Sequence, residues 1–595
     1  MTSPGPGRAE TRLRPPAPSW SALPPSDPGA VAELQRELDL PAVVCAVLVA
    51  RACAEPADAK RFLRPRLDGL HDPSLLTDGC RAAERIARAI RENETIVVHG
   101  DYDVDGICAT ALLTRWFRLL GGEVVPFVPH RLRDGYDFSA AGLTAALDAG
   151  ATLIVTVDCG TAAHETVAAA AAAGIDVVVT DHHTVSESLP EAIAVVNPQR
   201  PGCEYPEKGL CGTGVAYKVA ELVGRELGAD PGELLLYLDL VALATVADLV
   251  PLNGENRVLV SYGLRRFADT RVAGIRALLD VVNVDPSGMT AGQVGFVIAP
   301  RINAAGRIGD SDDALQLLLT ESPEEARSLA LQLDGINKRR RDEDDRTLDE
   351  ALRMLSSQYD PERDYGVVLA GEGWHPGVIG IVASRVVERI HRPVVMIALR
   401  DGEGRGSARS IPGFHLYEAL AECSVYLGRF GGHRQAAGMD IRPDAIDDFR
   451  EAFNRAARAR LEPHDLSPVL RPDVLVELAD IDLQLVHWLG YLGPHGIGNP
   501  GPLFLARGVR LDAPRVVGAN HLKVTLRQDR ARLDAIGFGF ADRFPPDGLG
   551  DARRRPQPIR LTRATFRRDP RRSRFGCWIG PARRGQPIAP CDPST

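Results

Sequence analysis

Thr95-Ile96-Val97-Val98-His99-Gly100-Asp101-Tyr102-Asp103-Val104-Asp105-Gly106 is the stretch on which the reading of this chain turns. Its first five residues have the β-branched, apolar character of a short buried strand. Gly100 breaks that run, and a helix is predicted over 106–120. Between strand and helix stand three carboxylates within five residues. Carboxylates held this close repel one another unless a cation offsets the charge. Oxygen-rich clusters of this kind hold Mg²⁺ or Mn²⁺. The competing reading is an acidic turn that caps the helix, since Asp near a helix N-terminus is favourable.

The pattern continues outward on both sides. A helix is expected at 81–92, then, beyond the quoted stretch, a strand at 123–128 and a helix at 139–149. A strand at 152–157, a helix at 162–173 and a strand at 176–180 follow. Strands alternating with helices imply βαβ units and a mostly parallel sheet. Ligands of such sheets bind beyond the carboxyl ends of the strands. The strand at 152–157 ends at Asp158-Cys159-Gly160, and the strand at 176–180 ends at Asp181-His182-His183. Three strand ends thus deliver carboxylates or imidazoles to one sheet edge. Asp248 adds another carboxylate at the end of an apolar segment. Together these offer about enough ligands for two divalent ions. Two ions about 3.5–4 Å apart activate a water and stabilise the leaving oxygen of a phosphoryl hydrolysis.

The chain has 595 residues, enough for three or four domains. Its 45% apolar and 25% charged residues are ordinary for a globular protein. The 10 cysteines include no C-x-x-C pair, so no zinc ribbon is indicated. Reduced thiols in a cytoplasmic setting are the simplest expectation. No apolar run reaches transmembrane length, and the Pro-rich start lacks the apolar core of a secretory signal. Net charge is −9, but 551–580 carries ten Arg and two Asp, a local +8. That Arg-rich stretch, 553–574, reads equally as a phosphate track or a disordered tail.

The domain expectations are as follows. Residues 1–75 form a disordered start and a helical preface, and 76–265 an α/β catalytic domain on a parallel sheet. Residues 266–360 are a helical region ending in one long helix, 323–358, whose charge blocks suit a bridge between domains. A second α/β domain follows at 361–450, and 470–580 forms an OB-like β-barrel suited to nucleic acid.

Asp181-His182-His183 resembles the tripeptide that names the DHH phosphoesterase superfamily. Its place after Asp-Tyr-Asp-Val-Asp-Gly and Val-Asp-Cys-Gly, and before Ala-Asp-Leu-Val-Pro-Leu, strengthens the likeness. Gly432-His433-Arg434-Gln435-Ala436-Ala437-Gly438 resembles the glycine–histidine motif of the companion DHHA1 domain. Within the superfamily the chain is most similar to the RecJ exonucleases. Pro129-His130-Arg131, Asp134-Gly135-Tyr136, Pro300-Arg301-Ile302-Asn303-Ala304-Ala305-Gly306-Arg307 and Gly373-Trp374-His375-Pro376-Gly377 support this, over about residues 80–540.

The resemblance implies that Asp103, Asp105, Asp158, His182 and Asp248 are metal ligands for two Mn²⁺ or Mg²⁺ ions. It implies supporting or phosphate-contacting catalytic roles for Asp101 and His183. Arg131, Arg307, Ser407 and Arg409 match positions that hold the 5′ phosphate and nearby backbone, consistent with arginine's planar fork. Tyr136 and Phe138 are candidates to stack or wedge against a base, with an ordinary core aromatic as the close rival reading for Phe138. His433 is placed to contact a phosphate, with Gly432 and Gly438 allowing close approach of backbone. Asp137 stands where the family's turn carries Gly. His99, at H-x-x-x-D-x-D spacing, sits where pyrophosphatases and small-oligonucleotide phosphodiesterases of the superfamily place a ligand; here it is read as a strand residue.

The function implied is a 5′→3′ exonuclease that degrades 5′-phosphorylated single-stranded DNA to 5′ mononucleotides, in DNA repair and recombination. Single-strand-binding protein and a RecQ-type helicase are the partners implied, without a membrane. The alternative is a phosphodiesterase for small oligonucleotides or cyclic dinucleotides, which needs only the first two domains. A non-catalytic replication adaptor is disfavoured because every ligand position is filled.

Overall fold

The computed structural model describes residues 13, 16–25, 27–131, 133–135, 137–185, 188–541 and 557–562. Tyr136 and the Arg-rich 553–574 stretch, apart from the backbone of 557–562, therefore lie outside the described residues. The chain forms two compact units. One comprises Leu63–Arg341 with Leu492–Pro500; the other comprises Met1–Phe62, Asp342–Tyr491 and Gly501–Thr595.

The first unit is built on five parallel strands: β1 (Thr95–His99), β2 (Glu123–Phe127), β3 (Leu153–Val157), β4 (Asp176–Thr180) and β5 (Ala194–Val196). Their order across the sheet is β2-β1-β3-β4-β5. Four of them are the predicted strands; β5 was not foreseen. Alternate residues of β1 face opposite ways. Ile96 and Val98 join a large core with Trp116, Val155 and Val219. Val97 joins a smaller one with Ile154, Val167 and Val179. Helices Gly79–Arg91, Val104–Leu119 and Gly212–Leu227 feed the first core, where the Trp116 indole donates to the Ala220 carbonyl at 2.9 Å. Burial on both faces explains why β1, β3 and β4 are nearly continuous β-branched apolar runs, whereas edge strand β2 is half exposed.

Residues 238–319 are helical, and Val294–Ile298 forms a π-helical turn ahead of helix Ala299–Ile308. The expected long helix is Pro323–Gln358; it passes from one unit into the other after Arg341. Ala326, Ala330 and Leu333 are buried at helical spacing in the first unit, and Ala351 and Leu355 are buried beyond the junction. Segment Leu492–Pro500 returns to the first unit. There the Arg257 guanidinium donates to the carbonyls of Leu492 (3.2 Å) and Gly493 (2.7 Å), and Leu252 N donates to Ile497 O at 2.7 Å.

The second unit holds a five-stranded mixed sheet. Strands Val367–Glu372 and Val394–Arg400 are parallel; Glu403–Arg409, Ala436–Ile441 and Leu427–Gly432 continue it antiparallel. Helix Ile446–Arg460 closes it with buried Phe449 and Phe453. The helical preface resolves into Pro28–Leu38, Ala42–Ala50 and Pro56–Leu63, and Arg51 pairs with Asp473 at 3.4 Å. A separate β-sheet is centred on the long strand Leu503–Val517, which pairs antiparallel with His521–Gln528 and Gln557–Thr562 and parallel with Val474–Leu475. Ala531–Gly537 completes it. On its exposed face Arg510, Arg527 and Arg532 stand directly opposite one another on three adjacent strands.

Candidate metal centre

All the predicted carboxylates and imidazoles of the first unit reach the carboxyl edge of β1, β3 and β4. The loop after β1 is drawn tight by two glycines. A Cβ on Gly100 would lie 2.0 Å from Thr110 Oγ1, and one on Gly106 would lie 2.4 Å from Asp101 N. Within the loop, Asp103 accepts hydrogen bonds from Asp105 N (2.9 Å) and Gly106 N (3.2 Å), capping helix Val104–Leu119. Capping and ligation are thus not alternatives: one Asp103 oxygen caps while the group sits among the other acids. Asp105 is buried, and both its oxygens are gripped by the next helix, from Gly212 N at 2.6 Å and Thr213 N at 2.7 Å.

Asp158 caps β3 in a left-handed conformation, φ 61°. Non-glycine residues pay for that geometry, and such strain is concentrated at functional sites. His182 Nε2 lies 3.1 Å from Asp158, 3.7 Å from Asp248 and 3.8 Å from Asp105. Asp181, the first residue of the tripeptide, points elsewhere. It accepts from Thr161 N (3.0 Å), His182 N (2.7 Å) and His183 Nδ1 (2.8 Å), so it fixes the loop and orients His183.

Three groups could each hold a cation: Asp158, His182 and His183; Asp105, His182 and Asp248; and Asp101, Asp103 and Asp158. Within each, one donor atom per residue lies within 4.8 Å of the others. Asp101 Oδ1 is buried without a hydrogen-bond partner, and Asp158 Oδ1 and His182 Nε2, both buried, face each other at 3.1 Å without hydrogen-bond geometry. Buried polar atoms are rarely left so. Oxygen and imidazole donors converging in this way suit Mn²⁺ or Mg²⁺, and the residues fit such ions. Asp101 and His183, expected to support the ligands, are thus equally well placed to be ligands.

Electrostatics agree. Burial and then Asp105 and Asp103 push the Asp158 carboxyl well above the usual range, and burial with Asp103 does the same to Asp101. Burial, then Asp105, raises Asp248 to about 9. Burial holds His182 low, in the neutral form that ligates metal. Burial would also lower His183, but its bond to Asp181 outweighs this and lifts it to about 9. The protein alone does not neutralise this cluster; divalent cations would.

A cleft of about 320 Å³ opens on these acids, lined by Asp101, Asp103, Asp105, Arg131, Asp248 and Arg307 among others. Arg131 lies over the Tyr102 ring, 5.1 Å from its centroid. Asn303 also lines the cleft, and its Oδ1 accepts from Val104 N at 3.3 Å. Asn303, Tyr102, Leu249 and Asp181 were not among the predicted site residues. All four lay inside motifs already singled out, and for Asn303 and Asp181 their polarity was the available signal.

One expectation changes. Phe138 is no wedge: it is 2% exposed and meets His99 edge-on at 5.1 Å. His99 is fully buried between Phe138 and Phe127, absent from the three cation groups, and held by burial at about 4. It is a core residue of β1, as read. Asp137 takes the place of the family's glycine by adopting φ 73°, and its carboxylate accepts from Gly160 N at 2.6 Å.

In the second unit, Ser407 and Arg409 sit two apart on strand Glu403–Arg409, and Arg409 Nη1 donates to Ser407 Oγ at 3.1 Å. A Cβ on Gly380 would lie 2.8 Å from Arg409 Nη2 and 2.9 Å from Ser407 Oγ, so glycine there leaves the pair its space. His433 is exposed at the turn after Gly432, whose φ is 142°. A Cβ on Gly432 would lie 2.5 Å from Ala436 O, whereas Gly438 faces open space.

Residues 95–245 match the DHH family N-terminal domain, 364–459 the DHHA1 domain and 472–561 the RecJ OB domain. The chain is 39% identical over 538 residues to the single-stranded-DNA-specific exonuclease RecJ of Dickeya dadantii, covering 87% of this chain and 92% of that one. This chain belongs to the RecJ exonuclease family. The Bacillus subtilis RecJ is 38% identical over 516 residues, 86% of this chain; the match spans only 65% of that relative's length. Thermus thermophilus RecJ, solved in complex with Mn²⁺, superposes with a TM-score of 0.81 at 31% identity, covering 96% of this chain and 80% of that one. The same RecJ in complex with Mg²⁺ gives 0.75 at 30% identity, covering 95% and 79%. The two ions in those relatives are the ones the donor set here suits. Among the described residues, no helix is long and apolar enough to cross a membrane.

Proposed function

We propose that this chain is a Mn²⁺- or Mg²⁺-dependent 5′→3′ exonuclease that shortens 5′-phosphorylated single-stranded DNA to 5′ mononucleotides. The observation that carries it is the convergence of buried carboxylate and imidazole donor atoms at three adjacent strand ends of a RecJ-family fold. Asp103, Asp105, Asp158, His182 and Asp248 hold two ions, with Asp101 and His183 beside them. Bound there, the ions would acidify a water and offset charge on the leaving oxygen.

The chain's own groups do the positioning. The Gly212 and Thr213 amides fix Asp105, and Asp181 fixes His183 through its Nδ1 at 2.8 Å. His183, oriented by Asp181, stands at the edge of the metal cluster where an anionic substrate would arrive. Arg131 and Arg307 line the cleft and bind backbone phosphate. Ser407, Arg409 and His433 recognise the 5′ end and its neighbouring phosphates; Tyr136 contacts a base.

The opposed Arg510, Arg527 and Arg532 support a phosphate track on the C-terminal sheet. Like charges directly across strands are destabilising, and a polyanion offsets them. The setting is cytoplasmic DNA repair and recombination, with single-strand-binding protein and a RecQ-type helicase as functional partners.

Metals cleave any phosphodiester presented to them, so direction requires recognition of an end. Cleavage rates on matched strands with and without a 5′ phosphate, for wild type and Arg409→Ala, test this. The preference for the phosphate falls in the variant, and Arg409→Lys restores it only in part because an ammonium lacks the planar fork. An unchanged ratio overturns the assignment of end recognition to Arg409.

A further inference from the structure

Leu249 lines the same cleft as Asp101, Asp103, Asp105 and Asp248. Its side chain is 68% exposed, unusual for a leucine at the mouth of a carboxylate cluster. It follows Asp248, the C-cap of helix Leu238–Ala247, and adopts φ 62°. That left-handed position after a helix end is normally given to glycine, because a Cβ crowds the backbone there. The chain therefore bears a steric cost to keep a bulky apolar group at this place, and gains no burial in return. Strain and exposed apolar surface coinciding at a cleft point to a contact made only with a ligand.

The chemistry of the cleft indicates which part of the ligand is met. Arg131, Arg307 and the carboxylates with their cations account for phosphate. Asn303 spends its Oδ1 on Val104 N, and the Tyr102 ring is covered by Arg131. Leu249 is the one large aliphatic side chain lining the cleft that is largely exposed among the described residues. Apolar side chains pressed between bases unstack them without reading their hydrogen-bonding edges.

We propose that Leu249 is a specificity-determining wedge. It packs against the base of the nucleotide being released, parts it from its neighbour, and so favours base-bearing single strands of any sequence. The proposal rests on the reading of the cleft as the phosphodiesterase site.

The test uses the full-length chain with Mn²⁺ and 5′-phosphorylated single strands whose first two nucleotides are either normal or abasic. Wild type, Leu249→Gly, Leu249→Ala and Leu249→Met are compared for KM, kcat and thermal midpoint. Wild type favours the base-bearing strand about tenfold, mainly through KM, the scale expected for one apolar side chain. The preference falls towards one in the Gly and Ala variants and is largely kept by Met. Leu249→Gly melts at or above wild type, because glycine relieves the left-handed strain, so lost preference there is not lost folding. Equal preference in wild type, Gly and Ala variants overturns the wedge while leaving the cleft's reading intact. Metal-dependent hydrolysis of neither strand by wild type overturns that reading and the wedge with it.

Discussion

Gly212 opens the helix whose first amides hold Asp105, and its Cα faces Asp158. A Cβ added there would meet Asp158 Cβ and Oδ1 at 2.5 Å, about 0.9 Å inside ordinary contact. Neither side can yield easily. The helix start is tied to Asp105 by two hydrogen bonds of 2.6 and 2.7 Å, and Asp158 is held in a strained turn. Gly212→Ala must therefore displace the Asp158 carboxylate by most of an ångström. Overpacking of this kind costs about 1–3 kcal/mol of stability, and a 1 Å misplacement of a reacting group costs about 10²-fold in rate. Gly214→Ala is the control. It adds the same methyl two residues along the same helix, where the nearest atom is Leu210 Cβ at 3.4 Å. Helix propensity alone makes that change neutral or stabilising by about 0.5–1 kcal/mol. The assay is kcat on single-stranded DNA at saturating Mn²⁺, with a Mn²⁺ titration and thermal melts in chelator. Gly212→Ala loses about two orders of magnitude in kcat and binds Mn²⁺ more weakly; Gly214→Ala does neither. Wild-type turnover in Gly212→Ala would refute the placement of Asp158 as a ligand whose position sets the rate.

Asp103→Ala abolishes turnover, while its chelator-treated form melts within about 4 °C of wild type, because relief of carboxylate repulsion is set against the lost helix cap. Because burial and neighbours raise Asp158 and Asp248, the metal-free protein loses stability as pH climbs from the ordinary carboxylate range towards about 9; added Mn²⁺ flattens that slope, and denaturant melts across pH measure it. His183 works in the same window with its own sign: its raised value near 9 gives stability that is whole below about 6.5 and lost as pH passes 9. Asp181→Asn removes that contribution, so wild type and variant converge at pH 10 and differ most at pH 6; parallel curves would contradict it. Deleting 501–595 weakens binding of long strands and its salt dependence while sparing hydrolysis of very short oligonucleotides, whereas deleting 471–595 also lowers the melting temperature by removing the partners of Arg257; equal melting of the two truncations argues against that role.

Much of the catalytic half could be read directly from residue pattern. Runs such as Thr95–His99 and Asp176–Thr180 are buried on both faces, so apolar continuity marks them without help from neighbours. Strand ends then placed Asp103, Asp158 and His182 on one edge before any distance was known. Ala194–Val196 escaped because three residues carry too little periodicity. Phe138 stayed open between base contact and core because an aromatic in a polar loop can turn either way, and the apolar slot beside His99 decided for the core. Leu249 and Asn303 lay inside quoted motifs, but their approach to the cleft depends on packing of helices far from the sheet in sequence, which local spacing does not give. Asp137 shows the converse: the sequence signalled a departure from glycine, but the left-handed turn persists with an Asx bond in its support.

Segment Leu492–Pro500 bears on how the protein is made. The first unit has most of its residues by Arg341, but its last nine are translated only after a large part of the other unit. Between Arg341 and Pro500 lie roughly 160 residues, which a ribosome working at about 5–20 residues per second takes about 8–30 s to add. For that interval Arg257 is without the carbonyls of Leu492 and Gly493, and Leu252 N without Ile497 O. The nascent catalytic unit thus waits, one clasp short, until its neighbour has largely been synthesised. A nuclease assembled on this schedule completes its fold late, when most of the chain that governs which DNA it meets has already emerged.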